Sequence, residues 1–223
     1  MGSTVPNAGW MPVGLQNAVL PKTAVRAVAA ANDIAIWRGE NGAVRAWENR
    51  CPHRGMRLSY GIVRGNRLTC LYHGWSYDGE GGCAAIPAHP GLAPPKTIRA
   101  GIYQTAEIAG MIWVAPQDDA APVPRIDGDW TPCRSLHLTK TELTLEAVLA
   151  EAGVSVETGY AEWAATVHLA EGGSRIALAV QPMGAHGAML HAAIETLSPD
   201  GTAQVVSAWL GALRRRLERR AAA

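Results

Sequence analysis

The chain has 223 residues, enough for one large domain or two small ones, and 48% of them are apolar, which argues against disorder. A formal net charge of +1 argues against a general attraction to nucleic acid or to acidic membranes. The N-terminus lacks the basic start and apolar run of a secretory signal, and no apolar run approaches the roughly 18 residues of a membrane helix. We therefore expect a soluble, cytoplasmic protein.

The first half of the chain predicts short strands and tight turns. β-rich segments bounded by turn residues predict strands at residues 23–29, 32–38 and 43–48. Residues 68–77 lead into the glycine-rich turn DGEGG, and four prolines predict a loop over residues 84–98. A closing hairpin is predicted over residues 98–116.

The second half of the chain differs in composition. Residues 117–132 are acidic and rich in proline, which is typical of a linker. Further strands are predicted beyond it, at residues 134–143, 161–170, 174–182 and 186–197. The chain ends on an amphipathic helix, whose apolar residues recur at three-to-four spacing: Val206, Trp209, Leu210, Leu213 and Leu217. The arginines near its end suit the helix dipole.

One stretch, CPHRGMRLSYGIVRGNRLTCLYHGW, carries two cysteines and two histidines in two small groups, Cys51 with His53 and Cys70 with His73. Thiolate and imidazole together suit either zinc or an iron–sulfur cluster. Zinc sites usually begin with two cysteines separated by a few residues, which neither group shows. A Cys-x-His group facing a Cys-x2-His group instead suits a [2Fe–2S] cluster, in which one iron takes two cysteines and the other takes two histidines.

The groups CPHRG and CLYHGW closely resemble the cluster-binding motif of Rieske proteins and, more narrowly, the N-terminal domain of Rieske non-haem iron oxygenases. The resemblance extends from residue 9 to about residue 116 and includes WMPVG and YHGWSYDGEGGCAAIP. It implies a Rieske [2Fe–2S] cluster with Cys51 and Cys70 on one iron and His53 and His73 on the other.

The fold that this resemblance implies is α+β and mostly β. We expect a Rieske-type antiparallel β domain at residues 1–118, a linker at 119–132, and a shortened domain of strands and a C-terminal helix at 133–223. The last of these resembles a truncated helix-grip domain.

Five neighbours of the four donors complete the candidate cofactor site. Gly55 and Gly74 let the backbone approach closely, so that its N–H groups can hydrogen-bond to cluster sulfurs. Met56 and Tyr72 stand where high-potential Rieske proteins carry an additional cysteine pair, and Trp75 closes the motif. Because no bridge can form there, we expect a midpoint potential below zero, in the lower part of the Rieske range. The potential is also expected to fall at alkaline pH, as the histidine ligands deprotonate.

The remaining cysteines, Cys83 and Cys133, are predicted to be inert thiols, because the set of four ligands is complete without them. Free or metal-binding thiols are favoured over a disulfide framework in a chain of this kind.

Rieske oxygenases also hold a mononuclear iron between two histidines and a carboxylate. His186 and His191 have a suitable spacing, but Met183 stands where the resemblance requires an acidic residue. These histidines fall in a predicted turn between strands, and residues five apart in a strand point to opposite faces. Residues 143–159, which could be a remnant of the iron-binding helix, contain no histidine. We therefore predict that the second domain is a shortened relic without this iron.

Three functions remain open from the sequence. The first is an electron-transfer protein that accepts single electrons from a flavin/iron–sulfur reductase or a ferredoxin and passes them to an oxygenase catalytic subunit. The second is a compact mono- or dioxygenase with His186 and His191 as iron ligands. The third is an assembly subunit in which the cluster is structural or redox-sensing. A homo- or hetero-oligomer, such as a trimer, is implied by the resemblance; neither nucleic acid nor a membrane is an expected partner.

Overall fold

The computed structural model describes residues 9–29, 32–118, 121–159, 163–169 and 173–219. Within these ranges the chain forms fifteen strands in three sheets, and two α-helices. In chain order they are β1 (Met11–Leu15), β2 (Thr23–Ala29), β3 (Asn32–Arg38), β4 (Val44–Glu48), β5 (Ile62–Arg64), β6 (Arg67–Thr69), β7 (Ser76–Tyr77), β8 (Cys83–Ala85), β9 (Ile102–Ile108), β10 (Met111–Pro116), β11 (Trp130–Leu138), α1 (Leu145–Ala152), β12 (Ser155–Gly159), β13 (Ala164–His168), β14 (Arg175–Pro182), β15 (Ala188–Glu195) and α2 (Thr202–Arg219).

The N-terminal half contains two antiparallel sheets. One has six strands in the order β1-β10-β9-β4-β3-β2, and the other has four strands in the order β5-β6-β7-β8. Trp37, Trp47, Leu68 and Tyr77 are fully buried between them, so large apolar side chains fix how the small sheet lies on the large one. The predicted strands 23–29 and 32–38 are β2 and β3, and the closing hairpin is β9 with β10.

The C-terminal half is a five-stranded antiparallel sheet in the order β11-β15-β14-β13-β12. One face packs against α1 and α2. The predicted apolar face of α2 is confirmed, because Val206, Leu210 and Leu213 are fully buried and Trp209 is half-buried against the same core. No helix in the described part of the chain is both long and apolar enough to span a membrane. The expected α+β, mostly β class is therefore confirmed.

The other face of this sheet packs against the six-stranded sheet. Small residues on the C-terminal side, Ala177 and Ala179 among them, contact Trp10, Met111 and Trp113 on the N-terminal side. Small side chains let the two sheets approach closely around the larger ones, so the halves share one continuous core.

The predicted domain boundaries stay a prediction. Strand β11 begins at Trp130, so the last three residues of the predicted linker lie in the C-terminal sheet. Residues 1–8, 119–120, 161–162, 170 and 220–223, which the predicted domains, linker, strands and final helix include, lie outside the described residues. Residues 143–159 form α1 and then β12, and Thr144 caps α1 by accepting a hydrogen bond from the Ala147 N–H at 3.1 Å.

Candidate metal centre

The two Cys/His groups lie on two loops with the same backbone hydrogen bonds. In the loop after β4, the N–H of Cys51 donates to the carbonyl of Met56, and the N–H of Gly55 donates to the carbonyl of Cys51, both at 2.8 Å. The loop after β6 repeats these bonds, at 2.8 and 3.0 Å, with Cys70, Trp75 and Gly74. Each cysteine is therefore held at both its N–H and its carbonyl by its own loop.

Gly55 and Gly74 have φ values of 75° and 71°, in the left-handed region that favours glycine. Their own N–H groups donate to the carbonyls of Cys51 and Cys70, so any backbone donor to a cluster sulfur must come from other residues of the loops. The backbone N–H groups of Tyr72 and His73 lie near the Cys70 sulfur and act on the pKa of its thiol. Burial raises the pKa of the free Cys70 thiol, and these two N–H groups oppose that rise.

The four donors form two pairs that differ in exposure. Cys51 and Cys70 are 3% and 2% exposed, and the Cys51 thiol is close enough to contribute to the raised pKa of Cys70. The rings of His53 and His73 have centroids 4.6 Å apart, and His73 is exposed. The loops therefore place two thiols inside the protein, one half-buried imidazole beside them and one imidazole, His73, at the surface.

Aromatic contacts hold the imidazoles. The Trp75 indole stacks on His53 with centroids 4.2 Å apart and ring planes within 5°. Tyr72 lies against His73 at 3.8 Å between centroids. Desolvation, followed by the charges of His73 and Arg54, lowers the pKa of His53, which favours the neutral imidazole that binds metals.

Tyr77 belongs to the site although the sequence analysis did not single it out. Its hydroxyl lies 3.1 Å from the Cys51 sulfur, and the side chain is fully buried. Burial, and then the hydrogen bond to Cys51, raises the pKa of Tyr77, so the hydroxyl keeps its proton and can donate it to a cysteine sulfur. Its position two residues after Trp75, directly beyond the second loop, was the available sequence signal.

The donor set fits a [2Fe–2S] cluster. Among the described residues, no three His, Cys, Asp or Glu side chains are grouped so that they could hold a single ion. A Rieske cluster needs only two protein ligands on each iron, two thiolates on one and two imidazoles on the other. The buried pair of thiols and the adjacent pair of imidazoles provide this set, and the Tyr77 hydroxyl and the backbone N–H groups near Cys70 can provide donors to sulfur.

The other two cysteines are not among the four donors, although Cys83 packs against the same core as Cys51 and Cys70. Cys83 is half-buried on β8, and its thiol lies 3.8 Å from the Ala85 carbonyl. Cys133 lies on β11 in the C-terminal sheet, 3.8 Å from the Ala203 carbonyl. Burial raises the pKa of both thiols, which lowers their reactivity.

The two histidines of the alternative iron site do not meet. His186 is exposed in a short 3-10 turn, whereas His191 is buried in β15. Both ring nitrogens of His191 already have partners, Ser135 Oγ at 2.7 Å and Gln181 Oε1 at 2.8 Å. The structure therefore contradicts the interpretation of this pair as ligands of one iron.

Comparisons with known proteins agree with the site. Residues 9–97 match the family model of the Rieske [2Fe–2S] domain. The chain is 40% identical over 120 residues to the oxidoreductase NdmD of Pseudomonas putida, covering 53% of this chain and 20% of that protein. It is 38% identical over 125 residues to the 4beta-methylsterol monooxygenase of Methylococcus capsulatus, covering 52% and 33% of the two chains. The chain thus spans a fifth to a third of these relatives.

Solved structures share the fold over both halves. Apo dicamba monooxygenase superimposes with a TM-score of 0.72 and 19% identity, covering 99% of this chain and 89% of that one. NdmB of Pseudomonas putida gives a TM-score of 0.71 at 17% identity, covering 97% and 82%.

These findings identify a Rieske iron–sulfur domain in the N-terminal half of the chain. Residues 9–97 form a Rieske [2Fe–2S] domain of the kind found in Rieske non-haem iron oxygenases, and its cofactor is a [2Fe–2S] cluster. The zinc alternative is thereby resolved in favour of the cluster.

Proposed function

We propose that the protein carries single electrons in an oxygenase system, through a cluster that Cys51 and Cys70 bind at one iron and His53 and His73 at the other. The observation that carries the proposal is the difference in burial between the two pairs, with the thiols 3% and 2% exposed and His73 at the surface. Electrons would enter and leave on the imidazole side, because tunnelling between proteins requires a short approach and the thiol side lies inside the fold.

The surface beside the imidazoles supports docking of a redox partner. Leu71 and Tyr72 are 56% and 62% exposed, next to His73. Apolar and aromatic side chains in the open are typical of interaction sites, and weak redox encounters need only a small interface. A flavin/iron–sulfur reductase or a ferredoxin is the proposed donor, and an oxygenase catalytic subunit is the proposed acceptor. Relatives named as an oxidoreductase and as dioxygenase oxygenase subunits support both roles.

The direct experiment is to count iron and acid-labile sulfide after anaerobic purification. Two of each per chain are expected, with the visible and EPR spectra of a Rieske cluster. Cys51→Ser and Cys70→Ser should lose the cluster, whereas Cys83→Ser, the matched control thiol, should retain it. A third iron that supports O2-dependent turnover would contradict the proposal.

Electron transfer itself is tested with the loaded protein. The cluster should be reduced by a reductase with its electron source, and reoxidised when a separate oxygenase subunit is added under anaerobic conditions. A cluster that no reductase reduces, although it is present at full occupancy, would favour the assembly-subunit hypothesis. The oligomeric state and the cytoplasmic location remain predictions.

A further inference from the structure

A cavity of about 450 Å³ lies between the two halves of the molecule, away from the Cys/His loops. The N-terminal side contributes mainly aliphatic residues of β1 and β2, and the C-terminal side contributes a mixed group. The lining on the C-terminal side consists of Ser135, Gln181, Met183, Met189 and His191. Because side chains alternate along a strand, this is the face of the sheet opposite to the one that packs on α1 and α2.

A chain of hydrogen bonds at this cavity has a fixed direction. Gln181 Nε2 donates to the carbonyl of Val28, which can only accept, so the amide oxygen of Gln181 must face His191. The Nε2–H of His191 therefore donates to Gln181 Oε1 at 2.8 Å. The Nδ1 of His191 is then an acceptor, and the Ser135 hydroxyl donates a hydrogen bond to it, with 2.7 Å between Oγ and Nδ1.

This direction determines which polar atom remains for a ligand. Both nitrogens of His191 are occupied, and burial lowers its pKa to about 4, so the ring stays neutral near neutral pH. The Ser135 hydroxyl donates its hydrogen bond to His191, and Oγ keeps lone pairs that can accept one from a ligand. Arg26, the one cation in the lining, is already paired with Asp33 at 2.7 Å. Gln181 is 2% exposed and its amide oxygen already accepts from His191, so the half-buried Ser135 Oγ is the more accessible side-chain acceptor of the described lining, and the lining offers no unpaired cation for an anion.

We propose that this cavity binds a compact, neutral, mainly apolar molecule that carries one hydroxyl group, such as a phenol, with the hydroxyl donating to Ser135 Oγ. The cavity volume falls within the roughly 300–1,000 Å³ of small-molecule sites, and a mostly apolar wall with few polar groups is their usual composition. Met183 and Met189 provide flexible side chains that adapt to the apolar part of the ligand. This site goes beyond the proposed electron-transfer function and does not depend on it.

Three probes with the same carbon skeleton test the ligand class by calorimetric titration of the cluster-loaded protein. They are 4-propylphenol, propylbenzene and 4-propylbenzoate. We expect 4-propylphenol to bind about tenfold more tightly than propylbenzene, the size of one net hydrogen bond, and 4-propylbenzoate to bind most weakly. Equal binding of the first two, tightest binding of the carboxylate, or no saturable binding of 4-propylphenol would each overturn the proposal.

A matched pair of variants tests the contact with Ser135. Ser135→Thr keeps the hydroxyl. Ser135→Val introduces a side chain of nearly the same shape as threonine, which covers His191 Nδ1 but offers no acceptor. The preference for 4-propylphenol over propylbenzene should survive in Ser135→Thr and disappear in Ser135→Val. Equal preference in both variants would overturn the assignment. The cluster spectrum and circular dichroism of each variant verify that the fold is intact.

Glycine variants locate the binding. Gly14 lines the cavity, and a Cβ added there would meet no atom within 4 Å, so Gly14→Leu should fill the space and abolish binding of 4-propylphenol. Gly14→Ala should weaken binding of 4-propylphenol by a smaller factor. It replaces Gly14→Leu as the test if the leucine variant does not fold. Gly91→Leu is the matched control, because that glycine also has open space but lies outside the cavity lining. Unchanged binding in both Gly14 variants, or equal loss in Gly91→Leu, would overturn the proposal.

Discussion

At the scale of single residues, the feature of interest in the metal centre is which groups can donate hydrogen bonds to the cysteine sulfurs. Gly55 and Gly74 use their own N–H groups to close the loops, whereas the Cys51 sulfur lies 3.1 Å from the Tyr77 hydroxyl. A donor directed at a ligand sulfur stabilises the reduced cluster, which carries more negative charge. With Cys51 as a cluster ligand, we expect the potential of the cluster to depend on the Tyr77 side chain of the neighbouring strand.

Tyr77→Phe tests this contact. Loss of the hydroxyl should lower the midpoint potential by about 50 mV, roughly 1 kcal/mol for a one-electron couple. The measurement is a redox titration followed by EPR. Tyr103→Phe, in a half-buried tyrosine of β9, is the control and should leave the potential unchanged. Equal shifts in the two variants, or none in Tyr77→Phe, would contradict the role of this hydroxyl.

His191 predicts a dependence of stability on pH. Burial lowers its folded-state pKa from 6.5 to about 4, so between these values the unfolded chain binds more protons than the folded chain. The contribution of neutral His191 to the free energy of unfolding should therefore be complete above pH 6.5. It should be lost as the pH drops towards 4, which lowers the free energy of unfolding by up to about 3 kcal/mol. Gln at this position cannot titrate, so urea unfolding of His191→Gln should lack this part of the pH dependence. Parallel pH profiles for the two proteins would refute the prediction.

At the scale of secondary-structure elements, much of the fold is predictable from local pattern. Residues 23–29 and 32–38 are strands at the predicted bounds, and the apolar spacing around Leu210 identifies the buried face of α2. These features depend on side chains that are close in sequence, so periodicity alone detects them.

Two sets of contacts that the sequence did not predict depend on long-range pairing: the hydrogen-bond chain at the cavity and the contact of Tyr77 with Cys51. Ser135, Gln181 and His191 lie on three strands that become neighbours only when β11, β15 and β14 pair. Likewise, Tyr77 meets Cys51 across 26 positions in the chain. No local pattern encodes such contacts, because strand order and register are set by the whole fold. The four Cys and His donors could be proposed from the sequence because their spacing and flanking glycines lie within one short stretch.

The packing of α2 on the C-terminal sheet should make a large contribution to stability. Leu213 is 0% exposed in the core between α2 and the C-terminal sheet, so Leu213→Ala should lower the free energy of unfolding by about 2–5 kcal/mol through lost burial and a cavity. Leu197 is 93% exposed, and Leu197→Ala should change it by less than about 0.5 kcal/mol. Chemical denaturation followed by circular dichroism measures both. Similar effects from the two substitutions would show that α2 does not dock as described.

At the scale of the whole molecule, the two halves share a core rather than a thin contact. Trp10 and Met111 from the N-terminal sheet pack with Ala179 and Ala193 from the C-terminal sheet. Gln181 adds a buried hydrogen bond across the same boundary, to the carbonyl of Val28. Separation of the halves would expose these large apolar side chains to water and break the Gln181–Val28 hydrogen bond.

We therefore predict that both halves unfold in one cooperative transition. The visible absorption of the cluster reports the N-terminal half, and the far-UV circular dichroism reports α1 and α2, the helices of the C-terminal half. On heating, the two signals should share one midpoint, and Leu15→Ala, which removes a 5% exposed side chain from the shared core, should lower both midpoints together. Midpoints that separate by more than a few degrees, or a shift confined to the cluster signal, would mean that the halves are energetically independent. In that case the C-terminal sheet would be a separate module, and the cavity between the sheets could open without loss of the cluster.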